Sequence, residues 1–206
     1  ISLIGPSQIC IGSTTNLSPT TGGVWISNQP TIASINNSGV VTGLNSGNAT
    51  FSFTQNSTGC TSDGIVTVTV NTKPAITSDF NTLCVGATNT LSPTSGGTWT
   101  SLNPSIASVT ASGVVTGLQQ GITRFTYTSA SSGCTSNQSN PVIIVGKPSI
   151  ALTGPADICI GATTSLFPST GGTWISNQPS VATITNDGVV MGVAVGEARF
   201  AFQESF

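Results

Sequence analysis

An all-β fold of tandem two-sheet sandwiches is predicted by three features of the sequence: a motif written three times, apolar residues at period two, and no stretch with sustained helical spacing. The motif reads TGGVWISNQP at 21–30, SGGTWTSLNP at 95–104 and TGGTWISNQP at 170–179. Its starts lie 74 and then 75 residues apart, and the same steps separate Cys10, Cys84 and Cys159, as they do Trp25, Trp99 and Trp174. Such a period exceeds the roughly 20–50 residues of a solenoid unit, which buries no core alone. It suits small complete domains in a row. Repeat one is placed at 1–74, repeat two at 75–148, and repeat three at 149–206, the last stopping short of its second cysteine and final strand.

Within a repeat the elements follow in order. The paired glycines of the motif let the backbone bend into a strand whose tryptophan (Trp25, Trp99, Trp174) is expected to plug the core between two sheets. Next come NNSGVV, TASGVV and TNDGVV, in which Gly39, Gly113 and Gly188 supply the positive φ of a tight hairpin. Alternation then turns two aromatics inward in each repeat: Phe51 with Phe53, Phe125 with Tyr127, Phe200 with Phe202. The run TVTVTV closes repeat one, with Val66, Val68 and Val70 on one face and Thr67 and Thr69 on the other. About seven short strands per repeat, with turn signals roughly every 8 to 12 residues, describe a sandwich of immunoglobulin type. The joins NTKPAI and VGKPSI carry Pro74 and Pro148, which fix φ and disfavour helix at the preceding lysine. Short joins of this kind predict a semi-rigid linear array.

Composition removes most chemistry. Only 5% of residues are charged, against roughly a quarter in ordinary globular proteins, and histidine is absent. Without it no Ser-His-Asp arrangement forms, so the chain is expected not to be an enzyme. The six acids, Asp63, Asp79, Asp157, Asp187, Glu197 and Glu204, do not cluster as a calcium loop requires and are read as solvated turns and strand faces. No metal and no cofactor is expected. Four cations (Lys73, Arg124, Lys147, Arg199) in a chain of net charge −2 make no phosphate-binding patch, which excludes nucleic acid as a partner. Arg124 and Arg199 fall in predicted strands, and Lys73 and Lys147 precede proline, so trypsin resistance is expected. The longest apolar run, VIIV at 142–145, is far below the roughly 20 residues of a membrane span. GLNSGNATF and GLQQGITRF lack the Lys-Ser/Thr of a phosphate loop and read as turns. The threonine rows are ordinary exposed strand faces, with an ice- or sugar-binding face as the alternative. Asn16, Asn48, Asn56 and Asn137 stand in Asn-x-Ser/Thr sequons, weak indicators of glycosylation in so polar a chain.

Cys10 and Cys60, like Cys84 and Cys134, are 50 residues apart, while Cys159 lacks a mate because its counterpart falls about three residues beyond Phe206. No CxxC spacing occurs, so structural disulfides are expected in an oxidising compartment rather than a zinc or redox site. Pairing within each repeat is the preferred reading, each loop contributing about 4 kcal/mol by chain entropy. The rival joins Cys60 to Cys84 and bolts one repeat to the next.

The segment VWISNQPTIASINNSGVVTGLNSGNATFSF and its counterparts from Thr98 and Thr173 resemble group 2 bacterial immunoglobulin-like domains, whose Trp-Ser-Asn-Pro, Ala-x-Val and Gly-Val-Val-Thr-Gly pattern is followed in each repeat, with Ile35 and Ile184 in place of the valine and Met191 in place of the threonine. The cysteine-bearing variant is similar to the tandem arrays of giant secreted surface adhesins of Bacteroidota, gliding adhesins among them. The resemblance implies an extracellular stalk or filament at the cell surface, with no catalytic residues. Its partners would be neighbouring repeats of one long chain, with glycans or substratum met through other domains. ISLIGPSQIC aligns with IALTGPADIC inside the third repeat, so the chain is read as part of something longer. Two functions follow from different classes: a structural spacer in an adhesin or filament, or a carbohydrate- or surface-binding module whose repeats touch the ligand. An accessory array on a secreted polysaccharide-degrading enzyme is a third.

Overall fold

Period-two alternation becomes strand throughout the structure, a computed structural model that describes residues 1–62 and 65–205. Asp63, one of the six acids, lies outside the described residues. The chain divides into two compact units, Ile1–Val145 and Gly146–Phe206.

The first unit holds two cores. The first core is built from β1 (Ser2–Leu3), β2 (Gln8–Cys10), β3 (Thr14–Ser18), β4 (Gly23–Ser27), β5 (Ala33–Ile35), β6 (Val40–Gly43), β7 (Gly47–Gln55) and β8 (Val66–Asn71). These eight strands, against about seven expected, form two sheets ordered β2-β8-β7-β4 and β1-β3-β6-β5. Ile9, Trp25, Phe51, Phe53, Val68 and Val70 of one sheet pack on Leu17, Ala33 and Val41 of the other. The sandwich thus follows from the alternation: Val68 and Val70 point inward and are buried, while Thr67 points outward and is exposed. Burying a ring such as Phe51, wholly sequestered here, contributes about 1.5–3 kcal/mol.

Two glycines set the local geometry. Gly39 adopts φ 76° in the turn joining β5 to β6, where Asn36 and Val40 close the hairpin, with the Asn36 N–H donating to the Val40 carbonyl at 3.1 Å. Gly23 opens β4 opposite Gln55, and a Cβ there would collide with the Thr54 carbonyl and the Phe53 ring. The ring therefore lies over bare backbone.

The second core repeats the plan with β9 (Thr82–Cys84), β10 (Thr88–Thr90), β11 (Gly97–Ser101), β12 (Ala107–Val109), β13 (Val114–Gly117), β14 (Gly121–Thr123), β15 (Phe125–Ser129) and β16 (Val142–Val145). Leu83, Leu91, Trp99, Val115, Phe125, Tyr127, Val142 and Ile144 fill it. One difference has a clear cause. The continuous β7 is here split into β14 and β15 at Arg124, because Pro141 stands where Thr67 pairs with Thr50 in the first repeat. Proline has no N–H to continue the ladder. Ser139 spans the break: its N–H donates to the Phe125 carbonyl at 2.9 Å, its Oγ accepts from the Phe125 N–H at 3.0 Å, and its carbonyl accepts from the Arg124 guanidinium at 2.9 Å.

The unit Gly146–Phe206 contains β17 (Ala151–Leu152), β18 (Thr163–Phe167), β19 (Gly172–Ser176), β20 (Ala182–Ile184), β21 (Val189–Gly192) and β22 (Phe200–Glu204). Its sheets are β17-β18-β21-β20 and β19-β22. Phe200 and Phe202, expected in the core, are only half-buried. Among the described residues no strand covers them as β8 covers β7, and a cleft of about 320 Å³ lies over Leu166, Val190 and Phe200.

Neither arginine lies in a strand, contrary to the expectation: Arg124 occupies the β14–β15 break and Arg199 precedes β22. Trypsin is accordingly expected to spare Lys73 and Lys147 and to cut the folded chain first after Arg199, which is exposed and whose guanidinium is not tied down as that of Arg124 is. Mass spectrometry of a timed digest checks this; earlier cleavage after Arg124 would contradict it.

Candidate functional site: the junction between the first two repeats

The cysteines are placed by strand direction. Cys10 ends β2 beside Asn71, the last residue of β8, so it lies at the downstream pole of the first repeat, where the chain leaves for Thr72–Ile76. β7 starts at that pole, with Gly47 opposite Val70, and runs the length of the sandwich to Gln55. There the Gln55 N–H donates to the Cys60 carbonyl at 2.9 Å. Cys60 is therefore at the upstream pole. The eight steps of β7 separate the two poles by roughly 27 Å at about 3.4 Å per residue, whereas a disulfide requires Cα atoms within about 7 Å. The second repeat is built alike: Cys84 lies opposite Val145 at one pole, and the Cys134 carbonyl accepts from the Ser129 N–H at the other.

Pairing within a repeat is thus excluded, and the preferred expectations of Cys10 with Cys60 and Cys84 with Cys134 are corrected. The bond formed joins Cys10 to Cys134, with Cα atoms 5.6 Å apart and 124 residues apart in sequence. The rival pair, Cys60 with Cys84, is not formed either: both are free thiols, as is Cys159. A spacing of 50 residues fixes the size of a loop but not which pole each end occupies. The pole is set by strand count.

Around the bond the two repeats meet across a small polar cleft of about 270 Å³, lined by Asn71, Thr72 and Pro74 from the join and by Ser129, Ser131 and Ser132 from the hairpin after β15. Cys134 is fully buried there. Its turn is held by the Gly133 N–H donating to the Ser129 carbonyl at 2.9 Å, with Gly133 at φ 68°.

The three tryptophans are placed away from any open site. Trp25, Trp99 and Trp174 are 4%, 8% and 4% exposed. Each indole N–H donates to a proline carbonyl, of Pro19, Pro93 and Pro168, at 2.9, 2.9 and 2.8 Å. Each indole also lies 5.1 Å from the ring of Phe53, Tyr127 or Phe202. One polar handle satisfied inside an apolar body is the usual condition of a buried tryptophan. Thr67 and Thr69 belong to an outward face shared with Asn48, whose Oδ1 accepts from Thr69 Oγ1 at 2.9 Å. Val24 and Ile26 of β4 are exposed on the same sheet, an apolar contribution the sequence reading missed although their alternation with Trp25 signals it. Among the described residues no group of three or more His, Cys, Asp or Glu side chains gathers to hold a metal, and no helix is long and apolar enough to cross a membrane.

Fold and junction together define a tandem of immunoglobulin-like β-sandwiches whose first two members share a covalent bond. No family model matches the chain. It is 30% identical over 205 residues to Ice-binding protein 1 of Shewanella frigidimarina (strain NCIMB 400), covering 87% of this chain and 23% of that protein, so it spans under a quarter of the relative's length. Among solved structures it is similar to invasin, a bacterial integrin-binding protein, at 16% identity and TM-score 0.40, over 98% of this chain and 55% of that one. It is also similar to the C-terminal 282-residue fragment of intimin, at 17% identity and TM-score 0.37, over 68% of this chain and 59% of the fragment.

Proposed function

We propose that this chain is a structural spacer: a run of non-catalytic, extracellular repeats that hold a binding domain away from a cell surface. The observation that carries the reading is the Cys10–Cys134 bond, which ties one repeat to its neighbour and needs an oxidising compartment to persist. Buried indoles support it, since none of the three tryptophans presents a face to a sugar ring. The stalk of a secreted surface adhesin is the setting we infer. Attachment or gliding would then belong to the domains such a stalk carries, and an accessory array beside a secreted hydrolase would use the same mechanics.

A second reading has one observation in its favour, the similarity to a protein named for binding ice. In it the outward Thr, Asn and Ser rows, interrupted by Val24 and Ile26, contact a surface directly.

One experiment separates the two. The chain is passed over ice, cellulose and a panel of glycans while tryptophan emission and acrylamide quenching are followed. A spacer is expected to show no retention on any of them and indoles shielded from acrylamide, unchanged by glycans. Retention on ice or a glycan at micromolar protein would replace the spacer reading with the binding one.

A further inference from the structure

The three free cysteines occupy copies of the two positions that are bonded. Cys10, Cys84 and Cys159 share one backbone setting: the residue three beyond each donates its N–H back to the cysteine carbonyl, at 2.8, 3.0 and 3.0 Å. The glycine two beyond each, Gly12, Gly86 or Gly161, has φ between 81° and 85° and donates to Gly43, Gly117 or Gly192 at 2.8 Å. Cys60 and Cys134 share the other setting, a turn closed by Gly59 or Gly133 donating to Gln55 or Ser129, at 2.8 and 2.9 Å. The cysteine N–H is bound by the hydroxyl of Thr58 or Ser132, at 3.3 and 3.2 Å. What differs is coverage. Cys134, bonded to Cys10, is fully buried, whereas Cys60 is exposed and lines an open cleft of about 420 Å³ with Ile1, Pro19 and Phe53 at the upstream pole.

We propose that Cys60 is a preformed acceptor for the downstream-pole cysteine of another repeat of this type, and that Cys84 and Cys159 are the matching donors. Cysteine bonds in such arrays would then always join neighbours, donor pole to acceptor pole. The partner is a second sandwich carrying a Cys10-like residue, not a metal or a small molecule. Forming each bond removes two thiol protons and two electrons, which pass to a low-molecular-weight disulfide that leaves as two thiols. The inference stands whether the array spaces or binds.

The test uses the full 206-residue chain, mixed as isotope-labelled and unlabelled copies at high concentration in a reduced/oxidised glutathione buffer, followed by mass mapping without reduction. The expected result is Cys10–Cys134 within each copy, together with mixed-isotope pairs joining Cys60 of one copy to Cys84 or Cys159 of another. Cys60→Ser, an exposed and conservative change, is expected to lower these oligomers at least tenfold while leaving Cys10–Cys134 intact. Dominant Cys60–Cys60, Cys84–Cys159 or Cys159–Cys159 pairs, three thiols that all stay free, or undiminished oligomers in the Cys60→Ser protein would each overturn the proposal.

Discussion

Pulled from its two ends in oxidising buffer, the chain is expected to lengthen roughly 410–450 Å less than the same chain after reduction. The bond bridges a sequence separation of 124 residues, and each bridged residue would otherwise extend by about 3.3–3.6 Å. Tension enters through the first strands, crosses from Cys10 to Cys134, and never loads the residues between them. Two bonds each closed within a repeat would instead withhold about 165–180 Å apiece. Variants distinguish the two paths: Cys10→Ser is expected to restore the full extension and Cys60→Ser to change nothing. Single-molecule force spectroscopy reads the contour length directly, and an oxidised chain that releases its whole length would defeat the load path.

The second large effect is on stability. By chain entropy, closing a loop of this length stabilises by about 5 kcal/mol, shared between the two sandwiches that the bond ties together. Cys10→Ser is expected to lose most of that in urea unfolding without reductant, with two repeats that then unfold separately. Cys60→Ser, at an exposed thiol, is expected to stay within about 0.5 kcal/mol of the parent. Equal losses in both variants would mean that Cys60 is bonded after all. Reduction of the parent should reproduce the Cys10→Ser curve.

Much of the sandwich was legible because its signals are local. The alternation through Val66, Val68 and Val70, the turn glycines Gly39, Gly113 and Gly188, and the inward pairs Phe51 with Phe53 and Phe125 with Tyr127 each concern a few adjacent residues. The half-burial of Phe200 and Phe202 was not legible from their spacing, since burial depends on a neighbouring strand and not on the residue itself. The strand break at Arg124 does have a signal in the sequence: Pro141 aligns with Thr67, and a proline opposite a ladder position interrupts it. The disulfide is the feature least legible in the sequence. Its partners are decided by which pole each strand end reaches, and only the parallel pairing of β2 with β8 carries Cys10 to the far end. The tryptophan-to-proline hydrogen bonds span six residues each and have no periodic signature at all.

The bond between Cys10 and Cys134 also makes the stretch it encloses redundant as a tether. A single protease nick anywhere between those two residues, after Arg124 for instance, severs the peptide but leaves both fragments attached through sulfur. After such a nick the two parts come apart only when the bond is reduced, whereas a cut outside the enclosed stretch separates them at once.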